Sequence, residues 1–258
     1  MREKSPDEPI RGIKAVCFDL FFTLADPQCD LEHTESDPLG VTPEEWGRAC
    51  WNDPLGTERG LGIIRTDREL IERACACLNG TFTEEQKDQA RKAKNARMRK
   101  AVTHIAPEIT ETVRILHQRG YRIGLISNAD VCDRMYWSES PLAPYFDDVI
   151  FSCDAGILKP DPAIYRLSLE HLGVTPEEAV FVGDGGSSEH KGAKKEGMHT
   201  VCVQHLISYR GKNGTKIRKY ADRVTTRFEN LLTLLPGTER NKEARSYIQP
   251  EKGDKNDE

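Results

Sequence analysis

Long hydrophobic runs are missing from this sequence of 258 residues. No stretch approaches the roughly 18 consecutive apolar residues of a membrane span, so we expect no membrane partner. Acidic and basic residues nearly balance, with a net charge of −5, which argues against a general nucleic-acid binder. Eight cysteines are too few for a disulfide scaffold, and residues 1–9 lack the apolar stretch of a secretory signal. These absences predict a soluble, cytoplasmic protein.

Short apolar runs, in contrast, recur along the chain and predict buried strands. Helix signals separate the later runs: Asp161 followed by a proline marks a helix start, and Gly120 and Gly173 mark helix ends. From residue 107 onward strand and helix alternate, which predicts an α/β fold with a doubly wound parallel sheet. The predicted strands cover residues 15–18, 123–126, 149–151, 179–182 and 201–203.

The first predicted strand is followed by about 80 residues that read as helical. Three capping boxes, beginning at Thr42, Thr66 and Thr83, each mark a helix start in this stretch. We therefore expect a helical insertion that forms a small second domain or lid over the sheet.

The whole chain then divides into a core, an inserted cap and two polar tails. Composition predicts that both tails are disordered. The predicted α/β core comprises residues 11–28 and 105–236, the helical cap residues 29–104, and the tails residues 1–10 and 237–258.

Polar side chains that could carry chemistry follow the predicted strands. Asp19, Ser127 and Asp184 each stand at a strand end, and Lys159 lies in a loop stiffened by prolines. The carboxyl ends of parallel strands meet at one edge of a sheet, where α/β proteins bind ligands. Carboxylate and hydroxyl oxygens at such an edge suit Mg²⁺.

These four positions, in this order and at this spacing, resemble the motifs of the haloacid dehalogenase-like hydrolases. The resemblance covers residues 13–27 and 107–205, and the helical insertion sits where that family carries its cap. It implies that Asp19 is a nucleophile that forms a covalent aspartyl intermediate, and that the Lys159 cation assists it. The implied Mg²⁺ ligands are Asp19, the backbone carbonyl of Phe21, Asp184 and Glu189. The implied substrate-binding residues are Thr23, Ser127, Asn128 and Lys159.

One position departs from the family's phosphatases, which place a second aspartate two residues after the nucleophile. Here that position is Phe21, which cannot act as a general acid, and such a loss typically costs about 10²–10⁴-fold in rate. The chain is therefore a phosphatase for good leaving groups, a dehalogenase whose halide departs without a proton, or a phosphate-binding protein with little turnover. The family's dehalogenases carry an aromatic residue at this position.

The pair Gly183-Asp184 favours the phosphatase. The family's dehalogenases work without metal and lack this pair, and a carboxylate beside Asp19 would be repulsive without a cation. The leading prediction is thus a Mg²⁺-dependent phosphatase acting on a small, anionic phosphorylated metabolite. Its oligomeric state stays open.

A basic stretch, residues 87–100, has seven basic residues against one acid. Two functional interpretations are a lid that steers an anionic substrate and an RNA-binding face. No aromatic side chain is interleaved for stacking on bases, so we interpret the stretch as a solvated helix surface and expect no nucleic-acid partner.

Overall fold

The structure is a computed structural model, and it describes residues 8–29, 34–209 and 211–237. Six strands form one sheet in the order β3-β2-β1-β4-β5-β6, and all neighbours pair in parallel. The doubly wound parallel sheet is therefore confirmed. The strands are β1 (Ala15–Phe18), β2 (Arg122–Ser127), β3 (Asp148–Phe151), β4 (Ala179–Gly183), β5 (His199–Val203) and β6 (Arg223–Thr225).

The strand order reverses at β1, with β2 on one side and β4 on the other. A crevice opens at such a switch point, outside the carboxyl ends of the two central strands. The predicted strand-end residues Asp19 and Asp184 follow β1 and β4 directly. The topology thus places both carboxylates at this crevice.

Helices cover both faces of the sheet. Along β1, Val16 and Phe18 face one hydrophobic cluster, and Ala15 and Cys17 face another, so both faces of the strand are buried. This explains why the strand appears in the sequence as a continuous apolar run. The helices are α1 (Pro43–Trp51), α2 (Leu55–Gly60), α3 (Asp67–Ala76), α4 (Glu84–Thr103), α5 (Pro107–Gln118), α6 (Val131–Arg134), α7 (Ser152–Ala155), α8 (Pro162–Leu172), α9 (Glu189–Lys195), α10 (Gly211–Arg218) and α11 (Leu231–Leu234).

Helices α1 to α4 lie between β1 and α5, as the three capping signals predict. Thr42 and Thr83 form complete capping boxes. Thr66 also caps its helix by accepting from the backbone N–H of Glu69, but the Glu69 carboxylate accepts from Arg65 N instead of closing the box. All three predicted helix starts are confirmed.

This helical segment packs around a hydrophobic cluster that includes Trp46, Leu70 and Met98. Val131 and Cys132, which follow β2, belong to the same cluster. The segment therefore packs onto the carboxyl end of the sheet, and its division from the core at residues 29 and 104 stays a prediction.

Most of the two predicted tails lies outside the described residues, because the structure does not describe residues 1–7 and 238–258. Within the described part, Ile10 is buried and its N–H donates to Leu234 O at 2.8 Å. Residue 10 therefore packs against the core, and the extent of the tails stays a prediction. In the part of the chain that the structure describes, no helix is long and apolar enough to cross a bilayer.

Candidate active site

Asp19 lies at the end of β1, in the crevice at the switch point. Its backbone N–H donates to Val182 O at 2.9 Å, which ties it to the end of β4. A tight turn follows, in which Phe22 adopts a φ of 60° and Leu24 N donates to Leu20 O. The turn brings Thr23 back, so that its Oγ1 donates to Asp19 Oδ2 at 3.2 Å. Asp19 as a whole residue is only 7% exposed.

Lys159 joins two carboxylates from different parts of the chain. Its Nζ lies 2.6 Å from Asp19 Oδ1 and 2.7 Å from Glu189 Oε2. The side-chain amide of Asn128 holds the backbone of this lysine: Oδ1 accepts from Lys159 N at 2.7 Å, and Nδ2 donates to Lys159 O at 3.0 Å. Asn128, predicted to bind substrate, therefore positions the lysine, and its contact with substrate stays a prediction.

The loop after β4 brings in the other two carboxylates. Glu189 opens α9 and folds back, so that its Oε1 accepts from Gly185 N at 2.9 Å. A Cβ at Gly183 would lie 2.1 Å from that Oε1, so only glycine leaves room for the arrangement. Asp184 Oδ1 accepts from Gly186 N at 3.1 Å.

Asp19, Asp184 and Glu189 thus form one buried acidic cluster. Each offers a carboxylate oxygen, and these oxygens lie within 4.8 Å of one another, so the cluster could hold a metal ion. Oxygen ligands of this kind suit a hard divalent cation.

The charges in this cluster do not balance. Burial raises the pKa of Asp19, and burial, with the nearby charges of Asp19 and Asp184, raises the pKa of Glu189 to about 8. Burial alone would lower the pKa of Lys159, but the charges of Asp19 and Glu189 hold it above its ordinary value. Three carboxylates therefore face the single ammonium of Lys159 among the contacts described here. A bound cation would offset the excess negative charge.

Ser127, at the end of β2, adds a hydroxyl to the same edge of the sheet. It is 1% exposed, and among the described residues its Oγ has no hydrogen-bond partner. An unmet hydroxyl at such a depth costs about 1–3 kcal/mol. This group is therefore available to a ligand.

Phe21 lies two residues after Asp19, at the position where a phosphatase of the resembled family would have its general acid. It is half-buried and packs against both the core cluster and the cluster of the helical segment. It fills the junction between them and offers no proton.

Tyr209 was missed by the sequence analysis. It follows β5 and donates from Oη to Asp184 Oδ2 at 2.6 Å. No spacing rule marks a single tyrosine in a loop, and only the fold brings it to Asp184. Burial and this hydrogen bond raise the pKa of Tyr209, which keeps the phenol protonated as a donor.

Comparison with known proteins agrees with this geometry. The model of the haloacid dehalogenase-like hydrolase family matches residues 13–197. A glyceraldehyde 3-phosphate phosphatase of Pyrococcus furiosus is 33% identical over 135 residues, which are 50% of this chain and 53% of that protein. A phosphoserine phosphatase of Thermus thermophilus is 35% identical over 98 residues, 38% of this chain and 39% of that one. The chain thus spans about half the length, or less, of these relatives.

Solved structures of similar fold cover nearly the whole described chain. A 2-haloacid dehalogenase from Pseudomonas syringae pv. Tomato superposes with a TM-score of 0.60 at 24% identity, over 87% of this chain and 98% of that one. A HAD phosphatase from Thermococcus onnurineus gives a TM-score of 0.57 at 24% identity, over 87% and 99%. At such identities the likeness establishes the fold and does not separate the two activities.

Proposed function

Because this chain belongs to the haloacid dehalogenase-like hydrolases, we propose that it is a Mg²⁺-dependent phosphatase with Asp19 as its nucleophile. The observation that carries the proposal is the buried acidic cluster, whose three carboxylates face one lysine. A dehalogenase that works without metal gains nothing from this excess of negative charge. The names of the related phosphatases support the same choice.

The donors of the acidic cluster fit a magnesium ion. We assign the ion to Asp19, Asp184 and the backbone carbonyl of Phe21, with Glu189 beside it. Both oxygens of Glu189 already accept hydrogen bonds, from Gly185 N and from Lys159 Nζ. When bound, Mg²⁺ would neutralise these carboxylates and polarise a phosphoryl oxygen.

In the proposed reaction, an Asp19 carboxylate oxygen forms a bond to phosphorus while the bond from phosphorus to the leaving oxygen breaks. The leaving group keeps the electron pair of that bond. Lys159 offsets the repulsion between the anionic nucleophile and the anionic phosphate, and Ser127 Oγ donates to a phosphoryl oxygen. Water then attacks the aspartyl phosphate, which releases inorganic phosphate and restores Asp19.

Because Phe21 cannot donate a proton, we limit the proposed substrates to those with good leaving groups. Without a general acid, an alkoxide would have to leave unprotonated, a loss of about 10²–10⁴-fold in rate. Acyl and aryl phosphates avoid this loss in rate, because their leaving groups depart as stable anions. We therefore propose a small metabolite with a phosphate on such a leaving group.

Phe21 also favours a second candidate function, that of a dehalogenase. A dehalogenase needs no proton for its departing halide, so Phe21 suits the hydrolysis of a 2-haloacid. The acidic cluster argues against it, since Lys159 pairs with Asp19 and Glu189, and the Asp184 carboxylate beside them would stay unneutralised.

Hydrolysis of p-nitrophenyl phosphate and acetyl phosphate, with and without Mg²⁺, tests the proposal. We expect turnover that requires both the metal and Asp19, and its loss in Asp19→Asn. Asp154→Asn, a change at an exposed carboxylate on α7, is the matched control and should keep full activity.

Absence of turnover with either substrate would refute the phosphatase. Chloride release from 2-chloropropionate, measured in parallel, would then identify the dehalogenase. If neither product forms, binding of inorganic phosphate without hydrolysis would identify a phosphate-binding protein.

A further inference from the structure

A cavity of about 460 Å³ lies between the loop after β4 and helix α10. Its volume falls within the ~300–1,000 Å³ range of small-molecule sites. The side chains that give it chemical character come from α9, from the loop after β5 and from α10 with the turn that follows it. They are His190, Lys191, Tyr209, Lys216, Lys219 and Tyr220.

The lining of this cavity is electropositive. Of the described residues that line it, three are basic, Lys191, Lys216 and Lys219, and none is acidic. Among the described residues, no carboxylate lies within ion-pair distance of these three lysines. The chain as a whole is acidic, with a net charge of −5, so an uncompensated group of lysines is a local feature. An anion is the ligand that such a lining attracts.

A buried histidine adds a second, more specific feature. His190 is 2% exposed, and its Nε2 lies 3.3 Å from Val201 O, which can only accept, so Nε2 carries the hydrogen. In the neutral ring Nδ1 is then an acceptor, and among the described residues it has no partner. Gly185, which lines the cavity, lies next to this nitrogen, since a Cβ there would lie 3.4 Å from Nδ1. A ligand with an O–H or N–H group would satisfy it.

The three carboxylates of the acidic cluster, Asp19, Asp184 and Glu189, are not among the residues that line the cavity. Tyr209 lines the cavity and donates to Asp184 Oδ2, and Gly186, also in the lining, donates to Asp184 Oδ1. These two residues form a wall between the cavity and Asp184. Because Asp19 does not line the cavity, a molecule there would contact residues other than the proposed nucleophile.

We propose that this cavity binds a phosphorylated small molecule of its own, with the phosphate on Lys191, Lys216 and Lys219 and a donor group on His190 Nδ1. The site thus recognises phosphate together with a hydroxyl or N–H group. Because Tyr209 lines the cavity and donates to Asp184, binding of the ligand would change the environment of the acidic cluster.

The test uses the full chain and inorganic phosphate as the probe, since hydrogen phosphate offers both negative charge and an O–H. Binding is followed without Mg²⁺ by titration calorimetry and by ¹H–¹⁵N spectra. We expect phosphate to shift the amide signals of Ser188 and His190, and the ring Nδ1 signal of His190 to move as it accepts a hydrogen bond. These readouts need no turnover, so they stand apart from the proposed function.

Matched charge variants locate the site. Lys216→Met with Lys219→Met should weaken phosphate binding about tenfold, since both are exposed side chains whose charges contact the anion. Lys14→Met with Lys92→Met removes two exposed lysines elsewhere and should leave it unchanged. The same shifts should persist in Ser127→Ala, which alters only the proposed catalytic centre. Equal affinity in both lysine pairs, or shifts confined to residues 127 and 159, would overturn the proposal.

Discussion

Four buried charges join the helical segment to the core, and they allow a quantitative test of how the two are held together. Arg59 of α2 lies 2.6 Å from Asp130 and 3.6 Å from Asp133, at the start of α6. Lys94 of α4 lies 3.5 Å from each of the same carboxylates. The side chains are 1–8% exposed, so water screens them little. Two positive and two negative charges balance here.

Replacing Arg59 by methionine keeps most of the side chain's volume and removes its charge. The two carboxylates are then left with Lys94 alone, and breaking a buried ion pair in this way costs about 3–5 kcal/mol. For a protein of this size 1 kcal/mol lowers the melting temperature by roughly 2–4 °C. We therefore expect Arg59→Met to melt about 6–20 °C below the unaltered chain.

Thermal unfolding followed by circular dichroism at pH 7 measures this difference. Arg68→Met is the matched control, because Arg68 is 65% exposed and its partners Glu72 and Glu84 lie at 4.0 and 3.8 Å. We expect that control to lose less than about 1 kcal/mol. A melting temperature for Arg59→Met within 3 °C of the control would show that the buried charges do not hold the segment on the core, and the reasoning would be refuted.

Three further changes test the site and the core. Gly183→Ala adds a methyl group 2.1 Å from Glu189 Oε1, and we expect a loss of about 1–3 kcal/mol in the free energy of unfolding by urea. Tyr209→Phe removes the donor to Asp184, and the Mg²⁺ concentration for half-maximal activity should rise about tenfold. Burial lowers the pKa of His205 below its ordinary 6.5, so its contribution to stability is complete above pH 6.5 and is lost as the pH falls below it. His205→Phe should flatten the decline in unfolding free energy between pH 7 and pH 5.

The sheet could be predicted from the sequence because its signals are local. A parallel strand buried on both faces appears as an apolar run, and five of the six strands have such a run. Strand β6 lacks it: Val224 is flanked by Arg223 and Thr225. The Arg223 side chain is nonetheless buried, because its guanidinium donates to Glu8 O. Arg223 and Glu8 lie 215 positions apart, so this contact leaves no pattern in the sequence around β6.

The buried polar side chains likewise fall into two groups, those that the sequence could predict and those that it could not. Asp19 and Asp184 could be found because each follows a strand, and topology alone then brings them to one edge. Tyr209, Arg59 and Lys94 follow no strand end and no recognised spacing, and their partners lie 25 or more positions away. Such contacts are set by how the loops and the helical segment pack, which a single sequence does not reveal.

The two buried charge clusters differ in a way that bears on function. Around Asp130 and Asp133, the two carboxylates meet the two positive charges of Arg59 and Lys94 from the helical segment. Around Asp19 the acidic cluster has three carboxylates, and even with Glu189 protonated, as its pKa of about 8 implies at pH 7, the carboxylates of Asp19 and Asp184 outnumber the ammonium of Lys159 among the described contacts. Burying unbalanced charge costs free energy of folding, which a structural ion pair would avoid. The imbalance therefore supports the proposed Mg²⁺, and Lys159 lies beside the same carboxylates, where an anionic substrate would also need positive charge.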